Sequence, residues 1–179
     1  MATALSNWTI DPVHSSVEFS LDYMGFSTYR TGFRALEGSL QFDVARPAAS
    51  SVTASILVAS VDVTNDRLMS RLMDPDLLGG KEHPTITFES TRVEAVDPAH
   101  WKVTGDLTIR DITKSVVLDV EFDGAQTDPW GGSRVGFSAS TEIDREDWGL
   151  TWNQALETGG VVVGKKVTIE IEAETVRQA

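Results

Sequence analysis

Apolar and polar residues alternate with period two along most of the chain. Val17, Phe19 and Leu21 are interleaved with Ser16, Glu18, Ser20 and Asp22, and Ile86 and Phe88 with Thr85, Thr87 and Glu89. Val103, Leu107 and Ile109 share a face opposite Lys102, Thr104, Asp106, Thr108 and Arg110. The order continues at Val116, Leu118, Val120 and Phe122, and at Val135, Phe137, Ala139 and Ile143. It is most regular at Val167, Ile169, Ile171 and Ala173, set against Glu170, Glu172 and Glu174. Such runs are strands with one dry and one wet face, which belong to antiparallel sheets because parallel sheets are covered on both sides. With further runs near 33–42 and 52–63 the pattern predicts about eight strands. Turn signals at Arg46-Pro47, Asp97-Pro98, Asp128-Pro129 and Gly159-Gly160 divide them.

One segment departs from this period. Leu68, Met69, Leu72 and Met73 form a helical stripe over residues 65–73, which Asn65 can cap and Pro75 ends. Many alternating strands remove their edges most simply by closing into a barrel, so the expected fold is all-β, an extended antiparallel barrel with a short helix over one end. A barrel of about eight strands is filled by side chains or holds one small ligand. No composition break marks a linker, and the 179 residues read as one domain over 1–179.

Charge and composition narrow the partners. The chain carries 27 Asp and Glu against 15 Lys and Arg, a formal charge of −12, which argues against nucleic acid and against anionic headgroups. With no cysteine, disulfides, thiolate metal sites and cysteine nucleophiles are excluded. The apolar stretch from Ile56 to Val63 is interrupted by Ser60 and Asp62 and is too short for a membrane span. The start, Met-Ala-Thr-Ala-Leu-Ser-Asn, lacks the basic and apolar regions of a secretion signal, so a cytoplasmic location is expected unless a signal has been removed.

Residues able to carry chemistry are sparse. His14 stands three positions after Asp11 and beside Ser15, but on an extended strand His14 and Ser15 point to opposite faces, so a triad is not formed by adjacency. His14, His83 and His100 lie on separate segments, and Leu77 and Leu78 follow Asp74 and Asp76 where a calcium loop needs oxygen donors; no metal and no cofactor are expected. Gly159 to Lys165 nearly matches a phosphate-binding loop, yet Lys166 takes the hydroxyl position and a strand follows, so a turn is expected. More informative are phenylalanines on strands beside small dry-face residues, Gly105 and Ala139. Small residues inside a barrel either fit its taper or leave volume for a guest. Periodicity alone does not separate a filled barrel from a hollow one.

Six motifs in chain order resemble one family. Asp11-Pro-Val-His14-Ser15-Ser-Val17-Glu-Phe19 resembles the start of the YceI-like family, the polyisoprenoid-binding, lipocalin-like proteins. Gly38-Ser-Leu40-Gln-Phe42-Asp43, Pro84-Thr-Ile86-Thr-Phe88-Glu-Ser90 and Gly105-Asp-Leu107-Thr108-Ile109 are similar to its next strands. Arg145-Glu-Asp147-Trp148-Gly149-Leu150 and Gly160-Val-Val-Val163-Gly164-Lys-Lys-Val167 match its closing pattern, extending the likeness over residues 8–174. Tyr23 stands where the family commonly has histidine, Leu77 and Leu78 where it usually has aromatics, and His83 replaces an aromatic before the proline.

The resemblance implies a lipocalin-like barrel with an elongated apolar cavity for a long isoprenoid, a quinone-like molecule or a fatty amphiphile, with no catalytic residue to carry over. It also implies a homodimer as an assembly. On strand phase, Phe19, Phe33, Phe88, Phe122 and Phe137 are expected to line the cavity, with Leu68, Met69 and Leu72 at its mouth and Tyr23 and His14 as polar groups near an end. The leading expectation is a non-enzymatic carrier. An enzyme using His14 as general base in the same cavity, and a filled barrel acting as an interaction module, stand as alternatives.

Overall fold

The computed structural model describes residues 5–179, so the first part of the N-terminal stretch inspected for a signal lies outside the described residues. Among the described residues there are ten strands: β1 (Ser6–Ile10), β2 (Ser16–Tyr23), β3 (Ser27–Phe33), β4 (Leu36–Phe42), β5 (Ser51–Leu57), β6 (Thr85–Ala95), β7 (His100–Ile109), β8 (Ile112–Thr127), β9 (Ser133–Asp144) and β10 (Lys166–Arg177). The helix α1 (Asp66–Leu72) separates β5 from β6. All pairings between strands are antiparallel, and eight strands form a ring in the order β1-β4-β5-β6-β7-β8-β9-β10, closed by β1 on β10. Among the described residues no helix is long and apolar enough to cross a membrane.

The hairpin β2–β3 shares one edge of β10 with β1. Trp8, Thr9 and Ile10 pair with Arg177, Val176 and Thr175, whereas Ser16 to Ser20 pair with Glu172 to Thr168 further along the same strand. Beyond β3 the wall continues through the Phe33–Val61 bridge and the bond from Asp62 N–H to the Gly32 carbonyl at 2.7 Å. The wall therefore consists of β1 and β4 at one end and of β2, β3 and residues 60–62 at the other.

Two expected runs divide differently. The run at 33–42 takes in β4 and only the last residue of β3, which begins six residues earlier than expected. The break falls at Arg34 and Ala35, where Arg34 N–H donates to the Ser60 carbonyl and Ala35 N–H to Ser60 Oγ, both at 3.0 Å. The run at 52–63 leaves the sheet after Leu57 as a 3-10 turn, Val58–Ser60, which drives Val58 into the core. In α1, Asn65 Oδ1 accepts from Leu68 N–H at 3.0 Å, the N-cap bond that the sequence predicts. Gly159 and Gly160 have φ of 89° and 86° in a turn ahead of β10, so the near match to a phosphate loop opens no helix.

The two ends of the barrel are finished differently. At the β1 end Phe42 lies at the centre of an aromatic floor, with ring centroids 5.3 Å from Phe137, 5.5 Å from Trp101, 6.1 Å from Phe122 and 6.4 Å from Trp8. At the other end Met69, Leu72, Met73 and Leu78 pack against Val58, Ile109 and Trp148 in a second cluster. Trp148 is fixed there by its indole N–H, which donates to the Leu107 carbonyl at 3.0 Å.

Candidate ligand-binding cavity

Between the floor and α1 the barrel encloses a cavity of about 740 Å³. Its walls follow the dry faces of the strands: Val17, Phe19, Leu21 and Tyr23 from β2, Val167, Ile169, Ile171 and Ala173 from β10, and Phe137, Ala139, Thr141 and Ile143 from β9. The stretch from Val167 to Ala173 alone spans about 20 Å of extended chain at about 3.4 Å per residue. The cavity is thus long and narrow, a shape that suits a chain better than a compact solute.

The expected lining residues distribute unevenly. Phe19, Phe33, Phe88, Phe137, Leu68, Leu72 and Tyr23 all border the cavity. Phe122 does not: its ring stacks on Phe42 and Trp101 within the floor. Met69 likewise turns into the packing around α1 and does not border the cavity. His14, expected as a polar group near an end, also lies outside the lining. Its exposed ring holds Asp11 Oδ2 at 2.8 Å in the β1–β2 connection, and Ser15 Oγ faces the Glu174 backbone instead of the imidazole. The imidazole named as base in the enzyme alternative therefore does not face the cavity.

Gly105 does not leave volume for a guest. The Phe88 ring occupies the space above it, so a Cβ built on Gly105 would sit 2.4 Å from Phe88 Cζ. Ala139 does border the lumen. The barrel is accordingly not packed solid, and of the two outcomes open to its small residues Gly105 shows a filled site and Ala139 an open one.

Polar side chains border both ends, with Gln41, Ser50 and Ser51 at the floor and a larger, partly charged group at the α1 end. Tyr29 borders the cavity, and burial pushes its phenol pKa up, keeping it a hydrogen-bond donor. Arg71 also borders it, but Asp76 holds its guanidinium through two bonds of 2.6 and 2.8 Å and Asp74 through one of 3.1 Å. Those carboxylates raise the Arg71 pKa further, and the one guanidinium with its two carboxylates carries a net charge of −1, so no free cation faces the lumen. The Arg71 guanidinium also lies 5.3 Å from the ring of Trp152, another lining residue. Arg145 is buried and spends its donors on the carbonyls of Gly164, Val163 and Leu150, so it anchors the loop before β10 and does not offer a free cation. Burial pushes its pKa down.

At the floor end, charged groups stay outside the lumen. Arg134 donates to Asp11 and Asp128 at 2.8 Å and to Glu174 at 2.6 Å, clipping the β1–β2 and β8–β9 turns to β10. Asp11, His14 and Glu174 place ligand-type atoms within 4.8 Å of one another, yet the Arg134 guanidinium already occupies the two carboxylates.

Comparison with known proteins agrees with this architecture. A UPF0312 protein of Staphylococcus aureus (strain N315) is 37% identical over 171 residues, covering 95% of this chain and 97% of that protein. Burkholderia cenocepacia BcnA superposes with a TM-score of 0.81 at 22% identity, covering 92% of this chain and 98% of that one. A Campylobacter jejuni YceI protein gives 0.74 at 27% identity, covering 88% and 90%. A Saccharophagus degradans domain described as polyisoprenoid-binding gives 0.74 at 13% identity, covering 97% and 99%. The YceI-like domain profile matches residues 8–175, from the first strand of the ring almost to the end of the last. With barrel, motifs and relatives in agreement over that span, this chain belongs to the YceI-like family.

Proposed function

We propose that the barrel binds the apolar chain of a long amphiphile, an isoprenoid or a comparable lipid, and carries or sequesters it without chemical change. The observation that carries this reading is the elongated, predominantly apolar lumen of about 740 Å³, with Tyr23, Tyr29, Arg71 and Trp152 at its α1 end. Taking about 30 Å³ for a water-sized group, and hence for a methylene, the lumen accommodates about 25 chain carbons. Family membership and the described ligand class of the Saccharophagus degradans domain support the same reading.

Burial supplies about 0.8 kcal/mol per methylene, so each added isoprene unit should tighten binding by at least about tenfold until the lumen is full. Two experiments test this. Gently purified protein is extracted with organic solvent and the extract analysed by mass spectrometry. Stripped protein is then titrated with a series of prenols from farnesol upward. Recovery of a long-chain lipid, and affinity that climbs and then levels off, are expected. Protein that repeatedly yields no lipid and takes up no prenol would exclude the carrier role.

A further inference from the structure

We propose that the β2–β3 hairpin tip docks the mouth of the barrel onto an uncharged lipid surface, from which the ligand enters. The inference rests on the carrier reading above and adds the surface through which that carrier loads. From Tyr23 to Tyr29 the chain reads Tyr-Met-Gly-Phe-Ser-Thr-Tyr, seven positions without a charge in a protein of net charge −12. Phe26 is 83% exposed at its end, among the most exposed large apolar side chains described. Tyr23, Val161 and Leu68 are also exposed. Of these, Tyr23 and Leu68 border the cavity as well, so the apolar tip and the α1-end rim are continuous.

The exposure of Phe26 is built into the fold. Met24 N–H donates to the Val162 carbonyl at 2.8 Å and Gly164 N–H to the Asp22 carbonyl at 2.9 Å, with Tyr23 bridged to Val163. These bonds pin both sides of the tip to the loop preceding β10. The turn itself runs through left-handed backbone at Met24 (φ 58°) and Gly25 (φ 77°), a conformation that a methionine adopts only at a cost. A pinned, strained turn that presents a phenylalanine to water is a poor choice for a soluble surface. It suits the lipid–water boundary, where aromatic side chains are favoured.

The ligand's own chemistry requires such a surface. A long apolar chain that leaves a bilayer through water loses its whole transfer free energy on the way, whereas a mouth apposed to the bilayer lets it pass between two apolar phases. The net charge of −12 disfavours anionic lipid, and Arg71 at the rim is outweighed by its two carboxylates, Asp74 and Asp76, so it offers no cation to a headgroup. The surface that fits is a zwitterionic one.

Flotation with phosphatidylcholine vesicles reads the docking, and transfer of radiolabelled geranylgeraniol from those vesicles to the protein reads its consequence. Phe26→Ser should lower flotation and slow transfer by about tenfold or more, the loss expected for one buried aromatic side chain. Uptake of the same prenol delivered as a soluble cyclodextrin complex, with no lipid surface present, should be unchanged, because Phe26 does not border the cavity. Trp130→Ser is the control: Trp130 is 86% exposed, but in the β8–β9 turn beyond the aromatic floor. Unchanged flotation in Phe26→Ser, or an equal loss in Trp130→Ser, would overturn the proposal. Failure of the unaltered protein to float would also overturn it and leave the tip to a protein partner. Absence of uptake from the cyclodextrin complex would count against the carrier reading alone, since flotation is scored without ligand.

Discussion

Replacing Gly105 by alanine probes how the lumen is shaped. Gly105 sits on β7 opposite Ser90 of β6, and the Phe88 ring lies across it. An added Cβ would stand 2.4 Å from Phe88 Cζ and 2.6 Å from the Glu89 carbonyl oxygen, both well inside van der Waals contact. The ring can turn away, but the carbonyl belongs to the paired strand and moves only if β6 and β7 separate. Overpacking of a core site costs about 1–3 kcal/mol, and the backbone contact places Gly105→Ala near about 3 kcal/mol. For a chain of this size that corresponds to a fall in Tm of about 6–12 °C. Phe88 packs against both hydrophobic clusters and borders the cavity, so its displaced ring should enter the lumen and shorten the preferred prenol. The assay is urea unfolding of a double-mutant cycle with Phe88→Ala, in which Gly105→Ala should cost at least about 1 kcal/mol less once the ring is gone. An equal cost in both backgrounds would show that the ring is not seated on Gly105 and would remove Phe88 as a shaper of the lumen.

Three further outcomes are expected. Ala139→Trp should project an indole into the lumen and lower prenol uptake by at least about tenfold while the far-ultraviolet circular dichroism of the barrel is retained. Asn65→Ala removes the cap of α1 and should cost about 1 kcal/mol in urea unfolding, with faster hydrogen exchange at residues 66–69 marking the mouth as the place affected. Bonds from His14 and Arg134 hold the Asp11 carboxyl below its ordinary value of 3.8, so its stabilising contribution is complete above that value and is lost as pH falls toward the folded one. Asp11→Asn should therefore be less stable than the unaltered protein at neutral pH and should lose less of its remaining stability on acidification below about pH 4, as followed by denaturant midpoints.

The dry faces of β2, β7, β8, β9 and β10 were legible because each strand repeats its period several times, and the lining from Val17 to Tyr23 and from Val167 to Ala173 follows that phase. β1 escaped notice because it holds two buried apolar positions, Trp8 and Ile10, too few to establish a period. The break at Arg34 and Ala35 depends on Ser60, and the filling of the Gly105 site depends on the register of β6 against β7; neither is local information. Tyr29, Arg71 and Trp152 reach the cavity from an outer hairpin strand, a helix and a loop, where no alternation could mark them. His14 shows the reverse failure. It was expected as a polar group near an end of the cavity, but it stands outside the lining, in the β1–β2 connection, with its ring on Asp11.

The closure of β1 on β10 joins residues as distant as Trp8 and Arg177 through three pairs. Bringing together points so far apart in sequence carries an entropic cost of about 4–5 kcal/mol, which the short seam recovers only with the rest of the wall in place. Until the last strand is synthesised, the chain can form only an open, twisted sheet whose oily face has no cover. Shortening the protein by a few residues at the Val176 end should therefore part β1 from β10 and open the wall at the aromatic floor, while the β2–β10 pairs still hold the α1 half together. The lipid-holding interior comes into being only when the two ends of the wall meet.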